Sequence, residues 1–369
     1  MLNLADPRDV MTMTTTSRRP ANDRASNTRR DSRAAHGPAR LPSAAPDQRG
    51  KVAVVTGANA GVGYHTARLL AASGMTVIMA CRHSGRMSAA ASTIKATQPD
   101  AIIRQLRVDL GNLGSVRAAA GQVLDDHGRI DVLVNNAGLM GVPRWDTFDG
   151  VEMHFGVNHL AHFALTGLLL PALLTAPDPR IVTVSSTAHR VARLDPHDWP
   201  DPKVYRPYQA YAASKLANLL FSYELHRLLL ASGCPARSIA CHPGWSDTQL
   251  LDSARRRGGR PAVAQGLRIL AMVVAQPAAQ GAQPTLAASL ADVPSGVFLG
   301  PSRWLRTRGP VGVEQSSDAS RDERAARQLW DTSAELSGID PSNALRPPRL
   351  GSAGPDPAER PVDEGWSVR

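Results

Sequence analysis

Residues 51–72 read KVAVVTGANAGVGYHTARLLAA, and this stretch decides the fold class of the chain. The apolar run at 52–56 is typical of a strand that is buried on both faces. Gly57, Gly61 and Gly63 follow it, and a helical pattern begins at Tyr64. A glycine turn placed there lets the backbone approach a pyrophosphate, and the free N–H groups of the helix N-terminus meet the anion. The stretch therefore predicts a strand, a nucleotide-binding turn and a helix.

Strands and helices alternate along the rest of the chain. Predicted strands cover residues 75–81, 102–108, 130–135, 180–184, 237–241 and, as the last and shortest, 296–299. Predicted helices cover residues 64–72, 113–124, 151–174, 208–230 and 321–337. Regular alternation implies a parallel sheet that binds ligands at the carboxyl ends of its strands. We therefore expect an α/β fold with a single Rossmann-type, doubly wound parallel sheet in three αβα layers.

The pattern divides the chain into three parts. Residues 1–49 are polar and lack apolar periodicity, so we expect a disordered leader. The catalytic domain is expected over 50–338, and residues 245–276, with an arginine cluster and an apolar helix, suit a mobile substrate lid. Residues 339–369 are expected to form a flexible tail, because the chain becomes rich in Pro and Gly there.

Composition argues against several classes of function. The formal net charge is +10, but it is concentrated in the leader and around residues 255–260. No basic stripe with interleaved aromatic residues is present, so we expect no nucleic-acid partner. We also expect no signal peptide and no membrane span, because no apolar run reaches the roughly 20 residues that a span requires. Three cysteines without metal-type spacing favour a reducing cytoplasm. His159, His162 and His242 lack partners at metal-ligand spacing, so no metal site is expected.

Arg82 ends the second predicted strand. A dinucleotide site that prefers NAD usually carries Asp or Glu near this point to bind the ribose 2′-OH, whereas an arginine pairs with a 2′-phosphate. This favours NADP(H), with NAD(H) as the alternative cofactor. The alternative is that Arg82 is only a solvated loop charge.

Tyr211 and Lys215 lie four residues apart in the predicted helix 208–230. This spacing puts the phenol and the ammonium one turn apart on the same face. A phenol titrates near pH ~10, and a nearby cation favours the phenolate, so we expect the pKa of Tyr211 to be lowered into the range useful for acid–base catalysis. The alternative is an amphipathic helix that happens to contain both residues. Asn158 is unusual inside a helix; it could bend the helix, hold a water or be locally satisfied.

These motifs, in this order, resemble the short-chain dehydrogenase/reductase family over about residues 50–300. The resemblance is carried by the glycine pattern after Thr56, the Asn-Asn-Ala-Gly turn at 135–138, Asn158, Ser185-Ser186, Tyr211-x-x-x-Lys215 and Pro243-Gly244. The long spacing from Ser186 to Tyr211 and the sequence SKLAN at 214–218 resemble the branch that contains retinol dehydrogenases, WW-domain oxidoreductase and protochlorophyllide reductase. The Arg/Ala/Pro-rich composition suggests a bacterial, actinobacterial source.

The resemblance implies a role for each motif. Tyr211 would be the general acid in carbonyl reduction and the base in alcohol oxidation, and Ser186 would donate to the substrate oxygen. Lys215 would lower the pKa of Tyr211 and hydrogen-bond the nicotinamide ribose. Asn158 would hold a water that links Lys215 to solvent. Gly57, Asn59, Gly61 and Gly63 would cradle the pyrophosphate, Arg82 would bind the 2′-phosphate, Asp109 the adenine and Asn136 the adenosine ribose. Pro243, Gly244 and Thr248 would pack against or hold the nicotinamide. The expected cofactor-binding set also includes Val62, Leu110, Ala137, Gly138, Tyr211 and Lys215.

We therefore expect an NADP(H)-dependent oxidoreductase that interconverts a carbonyl and an alcohol on a small hydrophobic substrate. Reduction of a C=C bond, as in an enone, is one alternative. A non-catalytic NADP-binding regulatory module is another, although the intact set of Ser186, Tyr211 and Lys215 speaks against it. The family also leads us to expect a homodimer or homotetramer formed through the helices that carry Asn158 and Tyr211.

Overall fold

The computed structural model describes residues 47–192, 205–244, 277–303 and 307–346. Within these ranges eight strands form one sheet: β1 Val52–Thr56, β2 Thr76–Cys81, β3 Ile103–Arg107, β4 Val132–Asn135, β5 Arg180–Val184, β6 Arg237–Cys241, β7 Phe298–Arg303 and β8 Arg308–Glu314. Their order in the sheet is β3-β2-β1-β4-β5-β6-β7-β8. β1 to β7 are parallel, and β8 runs antiparallel to β7. The strand order reverses between β1 and β4, which is where such sheets form a ligand crevice.

Helices cover both faces of the sheet. They are α1 Gly61–Ala72, α2 Ser84–Thr97, α3 Leu113–Asp126, α4 Met153–Leu173, α5 Pro207–Ala231, α6 Ala278–Gly281, α7 Gln283–Leu290 and α8 Glu323–Ser337. In the described ranges, one large apolar cluster packs α3, α4, α5 and α8 on one face, and another packs α1, α2 and α7 on the other. The predicted α/β fold, with a doubly wound sheet between two helical layers, is confirmed.

The prediction that the sheet ends at 296–299 is wrong. β7 extends to Arg303, and β8 adds an antiparallel edge strand. The sequence of β8, RGPVGVE, contains Gly, Pro and charged residues and has no continuous apolar run. Pro, charge and irregular burial are typical of edge strands, which need no apolar surface on both faces. Periodicity therefore did not reveal it.

The C-terminal boundary also differs from the prediction. Residues 339–346 were assigned to a flexible tail, but Pro341–Leu345 form a 3₁₀ helix that packs on α4. The indole N–H of Trp330 donates to Asp340 (3.1 Å), and a Cβ on Gly167 would lie 2.7 Å from Ile339. The ordered fold thus continues past Gly338. The leader up to residue 46, the lid and the end of the tail lie outside the described residues.

Helix α4 is the apolar centre of its layer. It contains a π-helical turn, Gly156–Leu160, which includes Asn158. Contrary to expectation, α4 is long and apolar enough to cross a membrane, with a mean hydropathy of 1.2 over an 18-residue window. However, 78% of that window is buried inside the fold. A buried helix that is hydrophobic all round is typical of the core of a large domain.

Helix α8 covers the outer face of α4 and α5. Its N-cap, Asp322, accepts hydrogen bonds from two backbone N–H groups of the first turn. Trp330 packs edge-on against Phe163 and stacks on Phe221, with ring centroids 5.0 and 5.9 Å apart. Ser333 contacts the Nε2 of His159 at 2.8 Å. Helix α8 therefore covers one side of each of the two helices that were expected to join subunits, and oligomerisation through these helices stays a prediction.

Replacement of Trp330 by Ala is expected to lower the free energy of unfolding by about 3–5 kcal/mol, because a buried indole is lost between two aromatic rings. Leu336→Ala is the matched control on the same helix. Its side chain is exposed, so its change should stay within about 0.5 kcal/mol. Urea denaturation of both variants tests the prediction, and equal losses would contradict it.

Candidate functional site

A cleft of about 720 Å³ opens at the carboxyl ends of β1, β2, β3 and β4. Two glycines of the turn after β1 have positive φ, Gly57 at 66° and Gly61 at 57°. At Gly63 a Cβ would lie 2.4 Å from the carbonyl oxygen of Gly57 and 2.4 Å from the amide nitrogen of Asn136. Only glycine leaves room for this tight turn, so the backbone can form a cradle at the N-terminus of α1. Such a cradle fits a pyrophosphate.

The predicted cofactor residues from β1 to β4 all line this cleft. They are Gly57, Asn59, Gly61, Val62, Gly63, Arg82, Asp109, Leu110, Asn136, Ala137 and Gly138. Tyr211, Lys215, Pro243 and Gly244 are not among the lining residues, and Thr248 lies outside the described residues. The structure therefore gathers the first group around one cavity, and of the second group Lys215 approaches its lining residue Gly138.

Asn136 lines the cleft and also joins two strands of the sheet. Its side-chain amide donates to the carbonyl of Thr56 (2.8 Å), and the backbone N–H groups of Asn136 and Ala137 both donate to the hydroxyl of Thr56 (2.9 Å each). These bonds tie the end of β4 to the end of β1. The Asn136 amide thus helps to hold the floor of the cleft, and its binding to the adenosine ribose stays a prediction.

The rim of the cleft beyond β2 is positively charged. Arg82, His83 and Arg86 all line it and are exposed. Arg86, burial and Arg82, in that order, lower the pKa of His83, and the opposing effect of Asp109 is smaller. Arg86 was not predicted to line the cleft, because the sequence pattern did not predict helix α2. The spacing could have indicated it, since Arg86 lies four residues after Arg82 and in the first turn of α2.

The predicted catalytic residues meet at the ends of β5 and α5. Tyr211 is buried, and its hydroxyl is hydrogen-bonded by the side chain of Ser186. The hydroxyl of the neighbouring Ser185 donates to the carbonyl of Lys215 (2.7 Å). Ser185 therefore holds α5 against the sheet, and Ser186 is the serine that faces Tyr211, as the sequence analysis chose.

The predicted lowering of the Tyr211 pKa is wrong for the protein on its own. Burial raises the pKa of Tyr211 to about 12, against the smaller opposing effect of the hydrogen bond from Ser186. Burial likewise lowers the pKa of Lys215 to about 8. The Lys215 nitrogen lies 5.9 Å from the centroid of the Tyr211 ring. Removal of both groups from water outweighs their mutual attraction, because desolvation penalises each charged form.

The ammonium of Lys215 lies next to Gly138 in the wall of the cleft. Its Nζ donates to the carbonyl of Val184 (3.1 Å) and lies 3.3 Å from the position that a Cβ on Gly138 would occupy. Gly138 is a lining residue of the cleft. A side chain at this position would separate the ammonium from the cavity, so glycine keeps the two in contact.

Asn158 is locally satisfied, which is one of the alternatives considered from the sequence. Its Oδ1 accepts from the N–H of Leu139 (2.8 Å), and its Nδ2 donates to the Leu139 carbonyl (3.0 Å) and the Ser214 hydroxyl (2.9 Å). The side chain therefore clips the loop after β4 to α5. Both N–H groups of the amide have protein partners, and the water-holding role implied by the resemblance stays a prediction.

A buried polar cluster beside Tyr211 was not predicted. Glu152 accepts from the Nδ1 of His154 and from the Tyr205 hydroxyl, at 2.8 Å each. Burial alone would raise the pKa of Glu152, but hydrogen bonds from His154 and from two backbone N–H groups lower it. The other nitrogen of His154 accepts from the N–H of Gly141 (3.1 Å). The cluster thus holds both the loop after β4 and Tyr205, which precedes α5. The sequence EMH at 152–154 does not by itself indicate these contacts.

The turn after β6 carries the remaining predicted residues. Gly244 has a φ of 68°, and its N–H donates to the Nδ1 of His242 (3.1 Å). His242 is fully buried. The predicted lid, residues 245–276, lies outside the described residues, so on this side of the site the description ends at Gly244.

Comparisons with known proteins identify the family of the chain. The model of the family described as short chain dehydrogenase matches residues 51–258. Retinol dehydrogenase 13 of Homo sapiens is 37% identical over 305 residues, covering 81% of this chain and 88% of that protein. Polyprenol dehydrogenase of Mus musculus is 39% identical over 304 residues, covering 80% and 87%. A solved structure of an uncharacterised protein from Mycobacterium Paratuberculosis is 39% identical, with a TM-score of 0.65, covering 80% of this chain and 96% of that one.

Replacement of Lys215 by Met should leave the protein at least as stable at neutral pH. Burial lowers the Lys215 pKa from 10.5 to about 8, so its charged form destabilises the fold below that pH. Val184 keeps a partner because Asn218 also donates to its carbonyl. We expect a gain of roughly 1–3 kcal/mol in the free energy of unfolding at about pH 7.

The gain should shrink as the pH rises from about 8 towards 10.5, because the folded wild type releases its proton before the unfolded chain does. Urea denaturation at several pH values measures it. Lys95→Met, on an exposed position of α2, is the control and should show no such trend. A Lys215→Met variant that is less stable than wild type at every pH would contradict the prediction.

Proposed function

Because the chain belongs to the short-chain dehydrogenase family, and is therefore an alcohol/carbonyl oxidoreductase, we propose that it uses NADP(H) with Tyr211 as its general acid and base. The observation that carries the proposal is the meeting of Ser186 and Lys215 at Tyr211, with the Lys215 ammonium next to Gly138 of the cleft. A bound nicotinamide would supply hydride to the carbonyl carbon in reduction and accept it in alcohol oxidation.

The chain's own residues would manage the proton. With a pKa of about 12, the Tyr211 hydroxyl is protonated at neutral pH and can pass its proton to the carbonyl oxygen as the alcohol forms. The Ser186 hydroxyl, beside it, would donate to the same oxygen, where negative charge develops. Oxidation reverses the transfer and needs the phenolate, so this direction should gain from higher pH. A Lys215 ammonium would favour that phenolate wherever it is protonated.

NADP(H) is proposed over NAD(H) on the charge of the rim. Arg82 and Arg86 both line the cleft beyond β2, and no carboxylate ends that strand to take a ribose 2′-hydroxyl. Guanidinium groups form charge-assisted hydrogen bonds with phosphate. The adenosine end of the cleft therefore suits a 2′-phosphate.

The proposed substrate is a hydrophobic alcohol or its carbonyl. Support comes from the names of the relatives, retinol dehydrogenase and polyprenol dehydrogenase, which refer to apolar isoprenoid alcohols. We further propose a cytoplasmic location, supported by the free Cys81, Cys234 and Cys241, all within described ranges. An actinobacterial source is supported by composition and by the similar mycobacterial structure.

Tyr211→Phe should reduce turnover by about 10²–10⁴-fold, because the proton donor is lost. The affinity for NADPH should stay within a few-fold. Tyr208→Phe, exposed on the same helix, is the matched control and should keep its turnover. The assay follows NADPH oxidation with a panel of hydrophobic ketones, aldehydes and enones, with product analysis. Near-normal turnover of Tyr211→Phe would refute the mechanism, and saturated ketones formed from enones would favour C=C reduction.

Arg82→Ala and Arg86→Ala should each weaken NADPH binding by roughly 10-fold or more, since a hydrogen bond to a charged group is lost. NADH binding should barely change, because NADH lacks the 2′-phosphate. Fluorescence titration with both cofactors measures this ratio. Arg104→Ala, exposed on β3 outside the cleft, is the control. Parallel losses for NADPH and NADH would argue against a 2′-phosphate site.

A further inference from the structure

A second buried cluster lies behind the catalytic serine and the turn after β6. The ring of Phe298, on β7, packs between two histidines, with centroids 5.4 Å from His189 and 5.1 Å from His242. Glu314, at the end of β8, completes the cluster, which we call the β8 brace: His189, His242, Phe298 and Glu314. Both histidines and Phe298 are fully buried, so none of them can touch a substrate.

The hydrogen bonds of His242 define its tautomer. Its Nδ1 accepts the N–H of Gly244 (3.1 Å), so the ring proton is on Nε2. That nitrogen lies 3.4 Å from the Oε2 of Glu314, whose side chain is 5% exposed. A carboxylate that faces one ring nitrogen holds the proton there and leaves the other free to accept. Glu314 therefore favours the tautomer that the turn requires. Arg190 also approaches this carboxylate, at 3.9 Å.

Gly300 leaves the space in which His242 and Glu314 meet. A Cβ at this position would lie 2.0 Å from the Nε2 of His242 and 2.8 Å from the Oε1 of Glu314. Such distances are far below van der Waals contact, so any side chain would push the two groups apart. Its cross-strand partner is Gly312, where a Cβ would make only an ordinary contact, 3.5 Å from Ser302.

The segment after β8 supports the catalytic serine in the same way. The N–H of Ser317 donates to the Nε2 of His189 (3.2 Å), and the Nδ1 of His189 donates to the carbonyl of Ser186 (2.6 Å). The backbone of Ser186 and the turn at Gly244 are thus both held from β8 and the residues that follow it. The supporting residues, which are His189, His242, Glu314 and Ser317, all lie outside the family motifs quoted above.

We propose that Glu314 is a positioning residue for the nicotinamide end of the cofactor site, acting through His242 on the turn at Pro243 and Gly244. This rests on the proposed function, in which that turn packs against the nicotinamide. Without Glu314 the buried Nε2–H of His242 no longer faces a carboxylate, so the ring turns or changes tautomer and the Gly244 N–H loses its partner. The adenosine end of the cleft, built from β1 to β4, is left as it was.

The experiment compares two probes on each variant. NADPH carries both ends of the cofactor, whereas adenosine 2′,5′-bisphosphate carries the adenosine end and no nicotinamide. Glu314→Leu removes the carboxylate at similar size and should raise the Kd for NADPH about tenfold, while the Kd for the bisphosphate stays within about twofold. Glu314→Gln keeps a polar oxygen that faces Nε2–H and should remain close to wild type for both probes.

The glycine pair of β7 and β8 gives an independent test. Gly300→Ala should reproduce the selective loss of NADPH affinity, because the new methyl separates His242 from Glu314. Gly312→Ala, directly opposite on β8, is the matched control and should bind both probes normally. Thermal unfolding tests whether each variant is folded. If Gly300→Ala does not fold, the comparison of Glu314→Leu with Glu314→Gln tests the proposal on its own.

The outcomes separate this proposal from the one it rests on. Selective loss of NADPH affinity in Glu314→Leu, with recovery in Glu314→Gln, supports the positioning role. Equal losses for both probes, or no loss, overturn that role and leave the NADP(H) proposal standing. If the wild-type protein binds adenosine 2′,5′-bisphosphate as tightly as NADPH, the nicotinamide adds no affinity, and the positioning role is also overturned. Failure to bind either probe would refute the proposed cofactor itself, and the positioning role with it.

Discussion

The hydroxyl of Thr56 is the interaction on which the rest of the site depends. It accepts the N–H groups of Asn136 and Ala137, and it lies 2.9 Å from the Nε2 of His162. Burial lowers the pKa of His162 to about 4, so this ring is neutral and its Nε2 can accept the Thr56 proton, since its Nδ1 faces the Asn158 carbonyl. One hydroxyl therefore joins the ends of β1 and β4 to α4. These are the elements between which the cleft opens.

Local sequence signals were sufficient for the elements that surround this point. The predicted strands at 180–184 and 237–241 coincide with β5 and β6, and the glycine turn lies where the buried strand before it predicted. A buried parallel strand has an apolar run as its signature. The edge strand β8 has no such signature. The residues Glu152 and His154 likewise show no pattern, because their buried cluster forms only with Tyr205, about 50 residues later in the chain. Contacts between distant segments leave little trace in periodicity.

The electrostatics of Tyr211 and Lys215 show a second limit. Spacing along a helix gives the separation of two groups on its surface, and from that separation we expected attraction to lower the phenol pKa. The helix is instead buried along almost its whole catalytic stretch. Desolvation acts on each group separately, raising the pKa of Tyr211 and lowering that of Lys215. Its size depends on what covers the helix, and α8 from the far end of the chain contributes much of that cover.

The motif residues are held mainly through their backbone and by residues outside the motifs. The Val184 carbonyl receives both Lys215 and Asn218, and the Ser186 carbonyl receives His189, which the segment after β8 holds in turn. Substitutions at β8 or α8 can therefore change the geometry of Ser186, Tyr211 and the turn at Gly244 without touching a motif. Because each such support is a buried hydrogen bond or close packing, its loss is not compensated by water. The positions of the reacting groups are thus encoded partly in the last third of the chain.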